Sequence, residues 1–375
     1  KGFAFFIPKN KKVYIDFFVR KKRSEKFSKN KKYIAKIVDW GNSNKKPEAQ
    51  IIKCIGNIGE NETEINSIIY DFNLPLKFPK NIIEETNNLS EDIPEKEILK
   101  RKDLRHLDSF TIDPDDAKDF DDALSIEKEN GHYKIGIHIA DVSHFFNSRS
   151  QINNEAEKRA TSVYLVDRTI PMLPEKLSNN LCSLKPNVDR LTFSVLIKMD
   201  ERFKIISYWV GRTVIHSKKR FTYDEAQLSI DNSDGLFHEE LNNLNEIAKN
   251  VRKKRFESGS FNFRSNEVKF KLDEDKKPVG VYKKLRKDTH KLVEEYMLLA
   301  NKIVAELIIN HEKKQSKSFP FVYRIHEDPE QQKICELKNY IKQYGYSINS
   351  NENNLAVDYP SDIKRDKALY AVLKK

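Results

Sequence analysis

Apolar and polar positions alternate in short bursts over the first 56 residues, and the bursts at Phe3–Pro8, Val13–Val19, Tyr33–Trp40 and Ala49–Gly56 predict strands. In the second burst Val13, Ile15, Phe17 and Val19 alternate with Tyr14, Asp16 and Phe18, the period of two of a half-buried strand. Short strands at this spacing, joined by polar turns, predict a small OB-fold β-barrel over residues 1–70. The rhythm then stops. Pro75, Pro79 and Pro94 punctuate a Glu- and Asn-rich stretch, which reads as a connector with one short helix and a linker over 71–100. From Arg101 a second domain begins. Tyr133, Ile135, Ile137 and Ile139 alternate with Lys134, Gly136 and His138, and Leu191–Met199 and Ile205–His216 read as a further strand pair. Leu241, Leu244, Ile247, Ala248 and Val251 then fit one helical face, and Leu292, Tyr296, Leu299, Ala300, Ile303 and Leu307 fit another. Between them, Phe261–Phe270 and the stretch to Tyr282 predict two strands with a turn near Asp273–Pro278. Strands followed by helices argue for an α+β domain over 101–375, not a doubly wound sheet.

The first two bursts carry Phe3, Phe5, Phe6, Tyr14, Phe17 and Phe18 among basic residues. Alternation prevents all of these from entering one core. Phe3, Phe5 and Phe17 are therefore candidates for a stacking platform for single-stranded bases, with simple barrel core as the competing reading.

Composition adds a bias toward a polyanion. The 375 residues hold 68 Lys and Arg against 57 Asp and Glu, a formal charge of +11. That favours nucleic acid or an anionic membrane surface. No apolar run approaches a bilayer span, and no signal-peptide pattern opens the chain. A membrane partner is not expected, and neither is a small-molecule cofactor. A charged fraction of 33% also fits a genome rich in Lys, Asn and Ile, so charge alone does not establish nucleic-acid binding. Cys54, Cys182 and Cys335 are few, odd in number and widely spaced, which argues against a disulfide framework or a zinc site. A reducing cytoplasm and a monomer are expected. The chain opens at Lys1 inside a strand pattern, as a fragment of a longer protein would.

Against this basic background stands the run TIDPDDAKDFDDA, which gathers Asp113, Asp119, Asp121 and Asp122 within ten residues. Like charges this close raise one another's pKa values unless a cation neutralises them. Ile112, Pro114, Ala117, Phe120 and Ala123 lie between and around them, so the segment is not a solvated acidic tail. An EF-hand is excluded, because Ala117 and Lys118 stand where that loop needs a fifth-position ligand and a glycine. Hard oxygen donors on a constrained turn suit Mg²⁺ and phosphoryl transfer, with a purely structural acidic turn as the alternative. His138 and His144 lack partners at ligand spacing, so structural roles are expected for them.

The run RKDLRHLDSFTIDPDDAKDFDDA closely resembles the signature of the RNase II/RNase R family, the RNB-domain exoribonucleases. The resemblance continues through IGIHIADVSHFF, RATSVYLVDRTIPMLPEKLSNNLCSLKPNVDRLTFS, KKRFTYDEA, HKLVEEYMLLAN and YRIHEDPE. Within the family the chain is most similar to RNase R, and KGFAFF with VYIDFFV resembles its second cold-shock domain. The implied architecture is a cold-shock OB-fold followed by a mixed α+β RNB catalytic domain. The implied activity is Mg²⁺-dependent 3′→5′ hydrolysis of single-stranded RNA to nucleoside 5′-monophosphates. A non-catalytic RNA-binding or chaperone fragment is the alternative.

The resemblance implies Asp113, Asp119 and Asp122 as principal Mg²⁺ ligands and Asp121 as the residue most tied to the chemical step. Asp115 and Asp116 are expected to cap the turn. Tyr164 matches the tyrosine that stacks on the 3′-terminal nucleotide, and Phe263, with Phe261 as register alternative, matches the aromatic across the base stack. Tyr223 and Glu294 resemble positions near the ribose, where a 2′-OH contact separates RNA from DNA. Read without the resemblance, Glu294 is a solvated helix charge. Family enzymes carry a further arginine motif and an S1 domain, and neither stands within these residues. The chain is expected to be a piece of a longer enzyme, or to be catalytically impaired.

Overall fold

The computed structural model describes residues 3–20, 26–42, 45–258, 260, 267–325 and 330–344, and the backbone of two later strands, Ser347–Asn351 and Asn354–Asp358. The opening strands are β1 (Phe3–Phe6), β2 (Phe17–Arg20), β3 (Lys31–Asp39) and β4 (Glu48–Asn57), joined in the order β1-β2-β4-β3. β1 pairs antiparallel with β2, setting Phe6 opposite Phe17 and Phe5 opposite Phe18. This register sorts the aromatics by face. Ala4, Phe6, Phe17 and Val19 pack inward with Ala49, whereas Phe3, Phe5 and Phe18 cluster together on the other side. The strand expected from Val13 starts only at Phe17. An Asn10 turn precedes it, the Asn10 side chain accepting from the Lys12 N–H, and the four residues of β1 pair only with Phe17–Arg20. Alternation with no partner strand among the described residues leaves Tyr14 91% exposed.

Helices α1 (Asn61–Asp71), α2 (Lys80–Asn87) and α3 (Glu95–Ile98) follow, where one was expected. Pro79 and Pro94 stand at the N-caps of α2 and α3, so two of the prolines read as breaks start helices instead. Beyond them lie β5 (Lys102–Asp103), β6 (Ser109–Asp113), β7 (Asp122–Glu129), β8 (His132–Ala140), α4 (Gln151–Arg159), β9 (Val163–Tyr164), β10 (Thr169–Ile170), β11 (Asp189–Met199) and β12 (Ile205–Thr222). Six of these strands form a sheet in the order β11-β8-β7-β6-β12-β5. Because β11 also pairs with β12, the sheet closes on itself. Pairing is antiparallel except where β12 meets β5 and β6, so the domain is mixed α+β.

Next come α5 (Tyr223–Asp231), α6 (His238–Glu257), β13 (Val268–Leu272), β14 (Pro278–Lys283) and α7 (Asp288–Gln315). Leu241, Leu244, Ile247 and Ala248 of α6 join Leu292, Tyr296, Ala300 and Ile303 of α7 over Ile135, Ile137, Val195 and Ile197 of the sheet, as the helical periodicity predicts. On the opposite sheet face Ala123, Ala140 and Ile215 pack with Ile82, Ile152, Leu177, Leu181 and Leu184. From Ile308 onward the chain forms a separate compact unit containing α8 (Gln331–Lys342) and the antiparallel pair β15 (Ser347–Asn351) and β16 (Asn354–Asp358).

One arginine ties the connector to the second domain. The Arg159 side chain, at the end of α4, is 2% exposed and ion-paired with Glu155. It donates to the carbonyls of Pro75 at 2.8 Å, Lys77 at 2.9 Å and Pro171 at 3.1 Å, with its guanidinium 3.6 Å from the centre of the Phe78 ring. Three carbonyls satisfied by one planar fork is a task that an ammonium group cannot reproduce. Arg159→Ala is expected to cost about 3–5 kcal/mol, because it strands Glu155 and the three carbonyls. Arg159→Lys should recover only part of this in denaturant unfolding; full recovery would show that charge alone suffices.

Candidate active site

Asp113 ends β6 and Asp122 begins β7, so two of the four carboxylates sit on the sheet and Asp119 and Asp121 on the loop between them. Backbone anchors pull that loop tight. The Ser183 hydroxyl donates to the Lys118 carbonyl at 2.8 Å and accepts from the Phe120 N–H at 3.1 Å. The Leu184 N–H donates to the Phe120 carbonyl at 2.8 Å, and the Ala140 N–H to the Asp121 carbonyl at 2.9 Å. At the loop's start, Arg220 of β12 donates to the carbonyls of Pro114 and Asp115. Among the described residues Asp115 and Asp116 make no side-chain hydrogen bond. Instead, the Ala117 N–H, donating to the Pro114 carbonyl, closes the turn expected to be capped by them.

This clamping sets the electrostatics. Burial pushes Asp113 up to about 6, with the nearby Thr111 hydroxyl and the charge of Arg220 opposing and the charges of Asp121 and Asp119 adding to it. Burial and the charges of Asp113 and Asp121 push Asp122 up to about 7. Asp121 opens to solvent at its own surface, yet the protein crowded around it, together with Asp119, raises its pKa. Among the described residues no three acidic, histidine or cysteine side chains form a ready-made metal cage. Mg²⁺ does not require one, since it is held by one or two carboxylates and completes its sphere with water and phosphate oxygens. The donors here are all carboxylate oxygens, and Asp113 Oδ2 is buried without a hydrogen-bond partner. The residues fit Mg²⁺.

Tyr164, 68% exposed on the β9–β10 hairpin, donates its hydroxyl to Asp119 Oδ2 at 3.2 Å. Thr222 pairs with Asp113 across the parallel β12–β6 contact, which brings Tyr223 to the same side of the site. Burial and the charges of Asp122 and Asp113 push Tyr223 up to about 12, and its ring stacks on His290 at 3.9 Å and 9°. Glu294, one helical turn beyond His290, is not a solvated charge. It is half-buried among Arg252, Arg255 and Arg286. The neighbouring Glu295, which sequence reasoning missed, is almost fully buried and binds Arg252 and Arg255 at 2.8 and 2.5 Å. Phe263 and its alternative Phe261 lie outside the described residues.

On the first sheet, Phe3 and Phe5 are half-exposed, and Lys46 stands 5.2 Å from the Phe5 ring. Phe17 differs from expectation. At 3% exposure it faces the sheet's core, because its register with Phe6 turns it inward, and Phe18 holds the outer position. His138 and His144 have structural surroundings. His138 is buried between the hydroxyls of Ser125 and Ser194, burial lowering its pKa to about 4. His144 lies against Arg101 and Glu97. Ser183 and Arg220, which clamp the loop, were also missed. Both stand in quoted motifs, but neither residue type advertises a backbone-holding role.

Because Asp113 and Asp122 hold protons more tightly folded than the ordinary value near 3.9, their protonated forms favour the fold fully below about pH 4. That contribution is lost as pH rises through about 6 and 7. In EDTA, the melting temperature of Asp122→Asn should therefore gain on the wild type between about pH 4 and pH 8. A constant gap over that range would overturn the charge assignment.

Comparison with known proteins places the chain in a family. The RNB domain model matches residues 101–374, and the cold shock domain model matches residues 5–79. Ribonuclease R of Thermotoga maritima is 39% identical over 352 residues, covering 92% of this chain and 49% of that protein. Ribonuclease R of Aquifex aeolicus is 35% identical over 353 residues, with the same coverage. The chain thus spans about half the length of these curated relatives. The solved structure of Mycoplasma genitalium RNase R in complex with double-stranded RNA shares the fold, with a TM-score of 0.81 at 24% identity, covering 96% of this chain and 63% of that one. The chain belongs to the RNB-domain exoribonuclease family, is RNase R-like, and carries an N-terminal cold-shock domain.

Proposed function

We propose that this chain supplies the metal-binding part of a Mg²⁺-dependent hydrolytic 3′→5′ exoribonuclease of the RNase R type, acting on single-stranded RNA. The observation that carries this reading is the clamped loop, which holds carboxylates with pKa values raised toward 6 and 7 beside one another. Asp113, Asp119 and Asp122 would hold Mg²⁺, and the ion would supply charge neutralisation at the scissile phosphate. Asp121 orients the attacking water. The water oxygen loses a proton as it bonds to phosphorus, the bond to the 3′ oxygen of the preceding nucleotide breaks and that oxygen takes up a proton as a hydroxyl, and a nucleoside 5′-monophosphate leaves.

Tyr164 stacks on the terminal base, an interaction worth about 1–3 kcal/mol that ignores base identity. Tyr223 and Glu294 meet the ribose, with Glu294 held in place by its arginines. On the first sheet, Phe3 and Phe5 beside Lys46 offer stacking and charge to the incoming strand. Mycoplasma genitalium RNase R, which shares the fold, is solved in complex with double-stranded RNA and with ribose-methylated single-stranded RNA, which supports RNA as the partner class.

A second reading, an RNA-binding protein whose aspartates only fold a turn, draws support from the lack of a preformed three-ligand cage among the described residues. One assay separates the two. The full-length protein that contains this segment, given 3′-labelled single-stranded RNA and Mg²⁺, should release labelled mononucleotide first. EDTA should abolish release, and Asp121→Asn should lower it by about 10²–10⁴-fold while RNA binding survives. Binding without any release by the wild type would favour the second reading. Tyr164→Ala should change the length of the shortest undegraded product. An unchanged product ladder would remove the tyrosine from the terminal stack.

A further inference from the structure

Tyr164 stands on a hairpin of two-residue strands, β9 and β10, too small to hold an orientation alone. Besides the Tyr164–Asp119 hydrogen bond and the Arg159 contact to Pro171, α1 braces it. Ile65 and Ile69 of that helix form one apolar cluster with Ile170, Val163 and Leu165 of the hairpin. At its edge Arg168, whose carbonyl closes the hairpin turn by accepting from the Leu165 N–H, reaches both carboxylate oxygens of Glu62 on α1, one of them at 3.1 Å. The same guanidinium holds Asp167, whose side chain is 2% exposed. The far side of α1 belongs to the cold-shock domain. Glu64 is paired with Lys32 of β3 and accepts from the Gly59 N–H at 3.1 Å, and Lys9 lies 3.5 Å from Asp71. One helix therefore grips the cold-shock sheet on one side and the tyrosine hairpin on the other.

We propose that Arg168 and Glu62 are positioning residues for Tyr164, and that through α1 the cold-shock domain sets how the tyrosine meets the RNA 3′ terminus. This rests on the reading of Tyr164 as the terminal stacking residue. The cold-shock domain then does more than retain the strand: it fixes the geometry at the end being degraded. Glu62 is the informative site, because its side chain is 65% exposed and its removal leaves the Arg168–Asp167 pair intact.

The test uses full-length protein in EDTA and single-stranded RNAs carrying 2-aminopurine at the 3′ end or near the 5′ end, whose fluorescence falls on stacking. Tyr164→Ala should abolish protein-induced quenching of the 3′ reporter. Glu62→Ala should lower the stacked-to-unstacked ratio at that reporter by about two- to fivefold, the range of a well-formed exposed ion pair. It should leave the 5′ reporter and the melting temperature unchanged. Arg168→Ala should reproduce the 3′ effect, and adding Glu62→Ala to it should bring no further loss. If Tyr164→Ala leaves the quenching intact, the stacking reading itself fails. If Tyr164→Ala abolishes it but Glu62→Ala does not weaken it, or changes both reporters alike, the positioning role is wrong.

Discussion

Everything at the candidate site depends on holding like charges together against their repulsion. Six carboxylates in ten residues, four of them at the site, would splay apart on a free loop. Here neutral groups restrain them through the backbone, namely the Ser183 hydroxyl, the N–H groups of Leu184 and Ala140, and the turn at Ala117. Among the described residues only Arg220 brings a charge to the clamp, and it spends that charge's hydrogen bonds on carbonyls, not carboxylates. The carboxylate oxygens are thus left poorly neutralised, which is why burial and mutual repulsion raise Asp113 and Asp122. Such a site would gain from a divalent cation, which would neutralise the carboxylates without a proton.

The sheet supplies the second half of the placement. β12 runs for 18 residues and pairs with β11 along its first part and with β6 at its end. The parallel β6 contact puts Thr222 beside Asp113, and Thr222 caps α5 through a reciprocal box with Glu225. Tyr223, the first residue of that helix, therefore inherits its position from strand register and from a helix cap. Its stack on His290 then relates the start of α7 to the acidic loop.

Much of this was legible in the sequence, and the limits have physical causes. Long periodic segments such as α6 and α7 read correctly because their burial follows one period over many residues, whereas β8 is a strand in which His138 is buried and Ile139 exposed against the alternation. Val13–Asp16 misled because period two records a tendency to pair, and among the described residues no strand lies opposite to satisfy it. Phe17 misled for a related reason. Alternation says that neighbouring aromatics face opposite ways, but only the pairing of Phe6 with Phe17 decides which way is inward. The four aspartates could be found by their anomaly. Ser183, Arg220 and Arg168 could not, because their value lies in distant backbone atoms and carboxylates that no local pattern displays.

Net charge was the broadest clue and the one most altered by the structure. Arg101, Arg159, Arg190, Arg220, Arg252 and Arg255 are largely committed within the fold, to backbone carbonyls or carboxylates. Planar forks suit that work, since one guanidinium satisfies several fixed oxygens. Many lysines instead present compact charges toward solvent, as Lys46 does beside Phe5. The basicity of the sequence thus divides into two parts with different physics. Arginine builds the scaffold that keeps the acidic loop, the connector and the tyrosine hairpin in place. Lysine supplies the screened, exchangeable attraction that a polyanion feels first. A positive total is therefore weak evidence for RNA until these two parts are separated, and the separation requires the fold.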